Sequence, residues 1–172
     1  MEALANLKNR RSIRKYKDTM VPKEVLEQIM EAGLYAASGM NRQPVIMIAV
    51  TNKEMRDRMS KLNAKVMGSD KDPFYGAPCL IVVLAEREMR NRVYDGSLVM
   101  GNLMQAAHDL GVGSCWIHRA KEVFDTEEGK EILKSIGVEG DYEGIGNCIL
   151  GYVDGEYPQA APRKENRLFW IE

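Results

Sequence analysis

Seven consecutive apolar residues, 79–85 (Cys-Leu-Ile-Val-Val-Leu-Ala), constrain this chain more than any other feature. A run this short, with β-branched residues at Ile81, Val82 and Val83, reads as a buried strand. No apolar stretch in the chain is long enough to span a membrane. The run must therefore be covered by other parts of the chain.

The pattern around it alternates between helix and strand. Residues 3–9 read as a short helix. Val21-Pro22 starts a second one, since proline is tolerated in a first helical turn. Val25, Leu26, Ile29, Met30 and Ala37 then recur at helical spacing, and Ser38-Gly39 should end that helix. Residues 45–51 form a short β-branched strand. Residues 53–66 are polar, with Met55, Met59, Leu62 and Val66 at helical spacing. Residues 73–78 form a loop before the buried run. Residues 89–110 are the longest helical pattern, closed by Gly111. Gly96, Gly101, Ala106 and Ala107 make this helix small-sided, so another helix can approach it closely, and it is the expected central helix. Strand 113–118, helix 126–135 and strand 145–153 follow. Strands alternating with helices imply an α/β or α+β sandwich with helices on both faces of one sheet. The length suits a single domain over residues 1–172. Residues 154–172 are rich in proline and charge yet end in Leu168-Phe169-Trp170-Ile171. No internal face is left over for that apolar tip, so a partner subunit is the expected place for it.

Composition removes several function classes. The 24 basic residues nearly cancel the 25 acidic ones, which argues against a dedicated nucleic-acid binder. Cys79, Cys115 and Cys148 are far apart, each in an apolar stretch, and read as buried free thiols of a reducing, cytoplasmic setting. With only two histidines they make a poor metal site. His108 and His118 have no nucleophile beside them and read as satisfied structural residues. The N-terminus carries charge where a secretory signal would be apolar. There is no P-loop, no Rossmann glycine fingerprint and no nucleophile elbow.

The charge is nevertheless uneven. From Ala3 to Lys17 there is no acid, while Lys8, Arg10, Arg11, Arg14, Lys15 and Lys17 fall there. Guanidinium forks match phosphate oxygens bidentately, and the Ser12 hydroxyl adds a neutral donor. In an extended segment Arg10, Ser12 and Arg14 point to one side and Arg11 to the other. Taken alone, this run is equally a solvated basic turn. Ser38-Gly39-Met40-Asn41-Arg42-Gln43-Pro44 joins a helix to a strand. A helix cap and a pre-proline turn explain Gly39 and Pro44. They explain Asn41 and Gln43 less well, because side-chain amides suit a heterocycle edge with alternating N–H and C=O groups. Pro73-Phe74-Tyr75-Gly76-Ala77-Pro78 alone reads as a structural loop. Gly113, Ser114, Cys115 and Trp116 follow a tight helix-to-strand turn whose small residues also allow close approach to a flat ligand. Arg163 and Lys164 in the tail are a second cationic pair.

The order and spacing of these segments resemble the FMN-dependent nitroreductase family, over essentially the whole chain. The resemblance implies an α+β three-layer sandwich, a homodimer with FMN at the subunit interface, and a C-terminal arm (154–172) exchanged onto the partner. By that similarity Arg10, Ser12 and Arg14 hold the phosphate, ribityl chain and polar flavin edge, with Arg163 and Lys164 completing the phosphate site; Arg11 belongs to the same cofactor-binding run but is the member expected to serve elsewhere. Ser38, Gly39, Met40, Asn41 and Gln43 line the flavin from one subunit or the other. Gly113, Ser114, Cys115 and Trp116 face the ring, and Asn63 falls roughly where another polar contact is expected. The implied chemistry is hydride transfer from NADH or NADPH to flavin N5, then to a small-molecule acceptor such as a nitroaromatic or quinone. The cofactor carries the hard chemistry, so no side chain need be an obligatory acid or base. Arg14 is the candidate stabiliser of the charge on reduced flavin. Alternatives on the same residues are a flavin- or polyanion-binding protein without turnover and a specialised reaction such as reductive dehalogenation. Two departures are visible: Val45 follows Gln43-Pro44 where the family often has tryptophan, and the substrate-covering helical insertion is short.

Arg10→Ala and Arg14→Ala should each remove a charge-assisted contact of about 1.5–3 kcal/mol, about one to two decades of FMN affinity. Flavin-fluorescence titration checks this, and unchanged affinity in both variants would place the phosphate elsewhere.

Overall fold

The computed structural model describes residues 2–172. Its elements in chain order are α1 (Ala3–Asn9), α2 (Lys23–Leu34), β1 (Val45–Val50), α3 (Lys53–Met67), β2 (Cys79–Glu86), α4 (Arg92–Asp109), β3 (Gly113–Ile117), α5 (Ala120–Asp125), α6 (Glu127–Ser135) and β4 (Tyr142–Gly151). The four strands form one antiparallel sheet in the order β1-β2-β4-β3.

The apolar run lies in the middle of that sheet, and residues 79–85 are all at most 1% exposed. Side chains alternate across a strand, so the run feeds two cores. Cys79, Ile81 and Val83 pack with Leu26 and Ile29 of α2 and Met100 and Leu103 of α4. Leu80, Val82 and Leu84 pack with Met59 of α3, Phe124 of α5 and Leu133 of α6. Each such side chain contributes roughly 1.5–3 kcal/mol of burial. The sandwich expected from the pattern is therefore present, with α2 and α4 on one face and α3, α5 and α6 on the other. All three cysteines are buried free thiols. Burial pushes the Cys79 thiol up to about 11 and raises Cys148 further, which makes both inert at neutral pH. Among the described residues no helix is long and apolar enough to cross a membrane.

Several boundaries differ from the sequence reading, each for a local reason. α2 stops at Leu34 instead of near Ser38, because residues 38–43 are held by side chains outside the helix: Gly39 N–H donates to Asp95 Oδ1 and Gln43 N–H to Ser38 Oγ. α4 begins at Arg92, three residues late, because residues 86–92 close two tight turns, Met89 N–H to Glu86 O and Arg92 N–H to Met89 O. β4 begins at Tyr142, three residues early. Buried Glu143 hides this start from the apolar pattern, and Arg87 and Arg92 satisfy its carboxylate at 3.2 and 3.0 Å. α5 was absent from the pattern; the left-handed φ of 72° at Arg119 breaks the chain away from β3 to begin it. The close helix approach expected at α4 is made by α2, with Asn102 Nδ2 donating to Ala32 O at 2.9 Å, and Gly96 in addition receives a strand residue. A Cβ at Gly96 would lie 2.5 Å from Ile145, whereas Gly101 faces open space.

The tail leaves the sheet at Asp154. Asp154 N–H donates to Lys15 O, the two side chains pair at 2.8 Å, and Tyr157 Oη accepts from Arg11 N–H at 2.9 Å. Residues 158–172 then run without helix or strand, and Leu168, Phe169, Trp170 and Ile171 are each more than 80% exposed.

Gly144 lets α5 settle onto β4: a Cβ there would lie 2.3 Å from the Ala120 carbonyl carbon. Gly144→Ala should therefore cost roughly 1–3 kcal/mol or more. Urea unfolding checks this; wild-type stability would mean that α5 sits further from the sheet.

Candidate functional site

The arginine-rich segment is fixed to the free edge of β3. Ser12 bridges Ser114 in parallel, and Ile13 N–H donates to Ser114 O at 2.9 Å. Ile13 is buried and its side chain fills the space a Gly113 side chain would need, leaving a hypothetical Cβ 3.0 Å away. The close approach at Gly113 is thus made by the chain itself. Tyr16 is buried, its hydroxyl donating to Ile13 O, and burial drives its pKa far above the ordinary tyrosine value. These anchors leave Arg10, Arg11, Ser12 and Arg14 on an immobilised ribbon.

Arg11 turns back on its own helix, where Nη1 donates to the carbonyls of Lys8 and Arg10 at 2.8 and 2.6 Å. Cations favour a helix C-terminus for this reason. Arg14 is exposed, with its guanidinium 5.9 Å from the centre of the Tyr75 ring. Ser114 and Cys115 are buried, and the Cys115 side chain belongs to the core.

Six buried side-chain polar atoms lack a partner among the described residues: Asn6 Oδ1, Arg10 Nη1, Arg11 Nε, Gln105 Oε1, His108 Nε2 and Trp116 Nε1. All belong to α1, the turn after it, α4 and β3. His108 stacks on Tyr157 with ring centres 5.6 Å apart, and its Nδ1 is 3.4 Å from Tyr157 Oη. Tyr157 Oη already accepts from Arg11 N–H, so we assign its proton toward Nδ1 and the ring proton to Nε2. Burial, then the Arg10 charge, holds His108 below its ordinary pKa, consistent with a neutral ring. His108 is therefore only half satisfied, which corrects the sequence reading. The result is four buried N–H donors, on Arg10, Arg11, His108 and Trp116, without acceptors. Leaving such a donor unmade costs roughly 1–3 kcal/mol each. An oxyanion is the complementary group for a cationic donor among them, so Arg10 Nη1 fits a phosphate oxygen.

The second candidate segment is strained. Met40, Asn41 and Gln43 have φ of 55°, 52° and 50°, a left-handed backbone that costs of order 1–3 kcal/mol per residue outside glycine. Gln43 Nε2 donates to Asn41 Oδ1 at 3.0 Å, and both side chains are exposed. The buried carboxylate of Asp95 on α4, which the sequence did not single out, anchors this loop through Gly39. A cavity of about 490 Å³ opens beside it and is lined by Met40, Arg42, Glu88, Arg90 and Asn91 among others.

Register decides how these two segments relate. Ser114 is level with Leu150 and Cys79, while Val45, just after the loop, is level with Ala85 and Glu143. That is six residues along β2 and three strand spacings across, on the order of 25 Å. The chain holds the arginine ribbon and the Asn41–Gln43 loop at opposite corners of the sheet.

Asn63 is 1% exposed; its amide donates to His118 O at 2.8 Å and accepts from Arg119 Nε at 2.9 Å. It fixes the β3-to-α5 turn. Arg163 and Lys164 are exposed, and Arg163 bonds only to Ala161 O. Within one chain nothing links them to the arginine ribbon among the described residues.

The loop before β2 is more elaborate than its sequence suggested. The Asp72 carboxylate accepts from Ser60 Oγ, Phe74 N–H, Gly76 N–H and Arg56 Nη2, all within 2.9 Å. Burial alone would raise the Asp72 pKa; these bonds, led by Arg56, hold it below the usual carboxylate range.

Residues 7–157 match the model of the nitroreductase family. A provisionally named NADH dehydrogenase/NAD(P)H nitroreductase of Methanothermobacter thermautotrophicus is 33% identical over 67% of this chain, which spans 60% of that protein. A protein of the same name from Archaeoglobus fulgidus is 32% identical over 90% of this chain and 87% of its own length. The crystal structure of a Bacteroides fragilis nitroreductase with bound FMN matches with a TM-score of 0.91 at 28% identity, covering all of both chains.

Asp72→Asn should cost about 1–2 kcal/mol at neutral pH, allowing for its partial exposure. A carboxylate with a depressed folded pKa contributes fully above the unfolded pKa and loses that contribution as pH falls through the folded value. The Tm gap between parent and variant should therefore close below about pH 4. A gap that stays constant into acid would separate the loop from this carboxylate.

Proposed function

Because the chain belongs to the nitroreductase family, we propose that it is an FMN-dependent NAD(P)H oxidoreductase acting as a homodimer. The observation that carries this reading is the buried Arg10 Nη1 without an acceptor, on a ribbon anchored to β3 through Ser12 and Ile13. FMN, when bound, supplies the redox chemistry between nicotinamide and acceptor. Arg10 and Ser12 hold the phosphate side, Trp116 faces the ring from β3, and Arg11 braces α1. Arg14 presents a cation toward the polar edge, where it favours added negative charge. Ser114 and Gly113 set the ribbon's distance from β3, and Cys115 and Asn63 support that edge from within.

The separation of roughly 25 Å between the ribbon and the Asn41–Gln43 loop implies two subunits. In this arrangement Ser38, Gly39, Met40, Asn41 and Gln43 approach the flavin bound to the partner's ribbon. The tail supports the same assembly: four consecutive apolar side chains exposed in one chain gain burial on a second copy. The partner's Arg163 and Lys164 then complete the phosphate site. The proposed acceptor class is a small nitroaromatic or quinone, reached through the open cavity beside Met40.

FMN-loaded protein should bleach with excess NADH or NADPH without oxygen and recover on addition of a nitroaromatic or quinone. Flavin that stays oxidised with both nicotinamides would reduce the assignment to a binding protein. Deleting residues 158–172 should turn a dimer into monomer in sedimentation and release FMN; a flavin-loaded monomer would overturn the exchanged arm.

A further inference from the structure

The loop at residues 72–77 holds a tyrosine that turn geometry does not require. Tyr75 has φ 53°, a conformation that disfavours side chains with a Cβ, and it is 45% exposed. Glycine would make this turn at less cost, as it does next door at Gly76, where φ is 71°. Burial does not repay the strain either, because the residue is nearly half exposed.

What the ring does contact is Arg14, whose guanidinium carbon lies 5.9 Å from the ring centre. Among the described residues Arg14 has no hydrogen bond and no ion pair. A cation held over a ring face at this distance is attracted without using any of its N–H groups, which stay free to donate to an acceptor. It also restricts a long side chain that would otherwise sample many rotamers.

The ring is itself rigidly held. Asp72 receives Phe74 N–H at 2.9 Å and Gly76 N–H at 2.8 Å, the two amides flanking Tyr75. Arg56 is almost fully buried, ties Asp72 to the Ala77 carbonyl, and lies over the Phe74 ring at 5.5 Å. Phe74 is 1% exposed. The strained residue is over-determined from both sides, the condition under which such strain persists.

We propose that Tyr75 is a positioning residue: held by the Asp72–Arg56 clamp, its ring fixes the Arg14 guanidinium with its hydrogen-bonding edge toward the anionic or polar edge of FMN. This rests on the reading of Arg14 as a flavin contact. Tyr75 acts through Arg14 and touches no reacting atom.

The discriminating variant is Tyr75→Gly, which removes the ring and relieves the backbone strain together. It should keep a Tm close to the parent's while weakening FMN about 2- to 5-fold in fluorescence titration, the size of an exposed cation–π contact. Tyr75→Phe should restore parental affinity. In an Arg14→Ala background, Tyr75→Gly should have no further effect. Equal weakening in both backgrounds would overturn the proposal in favour of a general loop role. Parental affinity in Tyr75→Gly, with Arg14→Ala impaired, would overturn it while leaving the flavin reading intact. Parental affinity in Arg14→Ala would remove Arg14 from the flavin site, and the proposal with it.

Discussion

The fold depends on a strand with no polar side. Residues 79–85 are buried on both faces, so neither face can be left to water. Cys79, Ile81 and Val83 recruit α2 and α4; Leu80, Val82 and Leu84 recruit α3, α5 and α6. With β2 fixed between β1 and β4, the one remaining strand, β3, has only an edge position to fill. β3 takes one edge, and its outer side receives the arginine ribbon through Ser12 and Ile13. Ile13 and Tyr16 of the same segment are buried in the core beneath that edge, so the chemistry-bearing ribbon is held by its own core residues.

That placement explains why strain and unsatisfied polarity collect where they do. The interior is conventional: Glu143, the buried carboxylate in β4, meets Arg87 and Arg92. The donors left without acceptors lie between α1, α4 and β3 instead. Left-handed non-glycine residues cluster in the Asn41–Gln43 loop, and another is Tyr75. Each is held by a carboxylate on a rigid neighbour, Asp95 on α4 for the loop and Asp72 for Tyr75. A rigid core can hold such costs of order 1–3 kcal/mol locally without loss of the fold.

The sheet register gives the two halves of the proposed site a geometric reason to meet across subunits. Opposite corners of one sheet cannot close around one ligand, whereas two copies related by a twofold can bring a corner of each together. The exposed apolar tip of the tail belongs to the same logic, since it lacks a burial surface within its own chain.

By itself the sequence pattern determined a layered sandwich with helices on both faces of one sheet, because hydrophobic periodicity is local and strong at residues 79–85, along α3 and along α4; the choice of α+β over α/β came from the family resemblance, and the antiparallel sheet bears it out. The sequence also determined the anion-matching character of Arg10, Ser12 and Arg14, since guanidinium chemistry needs no fold to be recognised. Arg11 as the odd member followed from alternation, and the structure shows it bonded to α1 carbonyls. Only the tertiary structure decided that β4 starts at Tyr142, because the ion pairs that allow Glu143 to be buried come from residues more than 50 positions away. Likewise only it decided that Asp95 anchors Gly39, that Asn63 serves the β3-to-α5 turn, and that Tyr75 lies under Arg14. Those contacts join segments distant in the chain, and the side-chain pattern of either segment carries no trace of its partner.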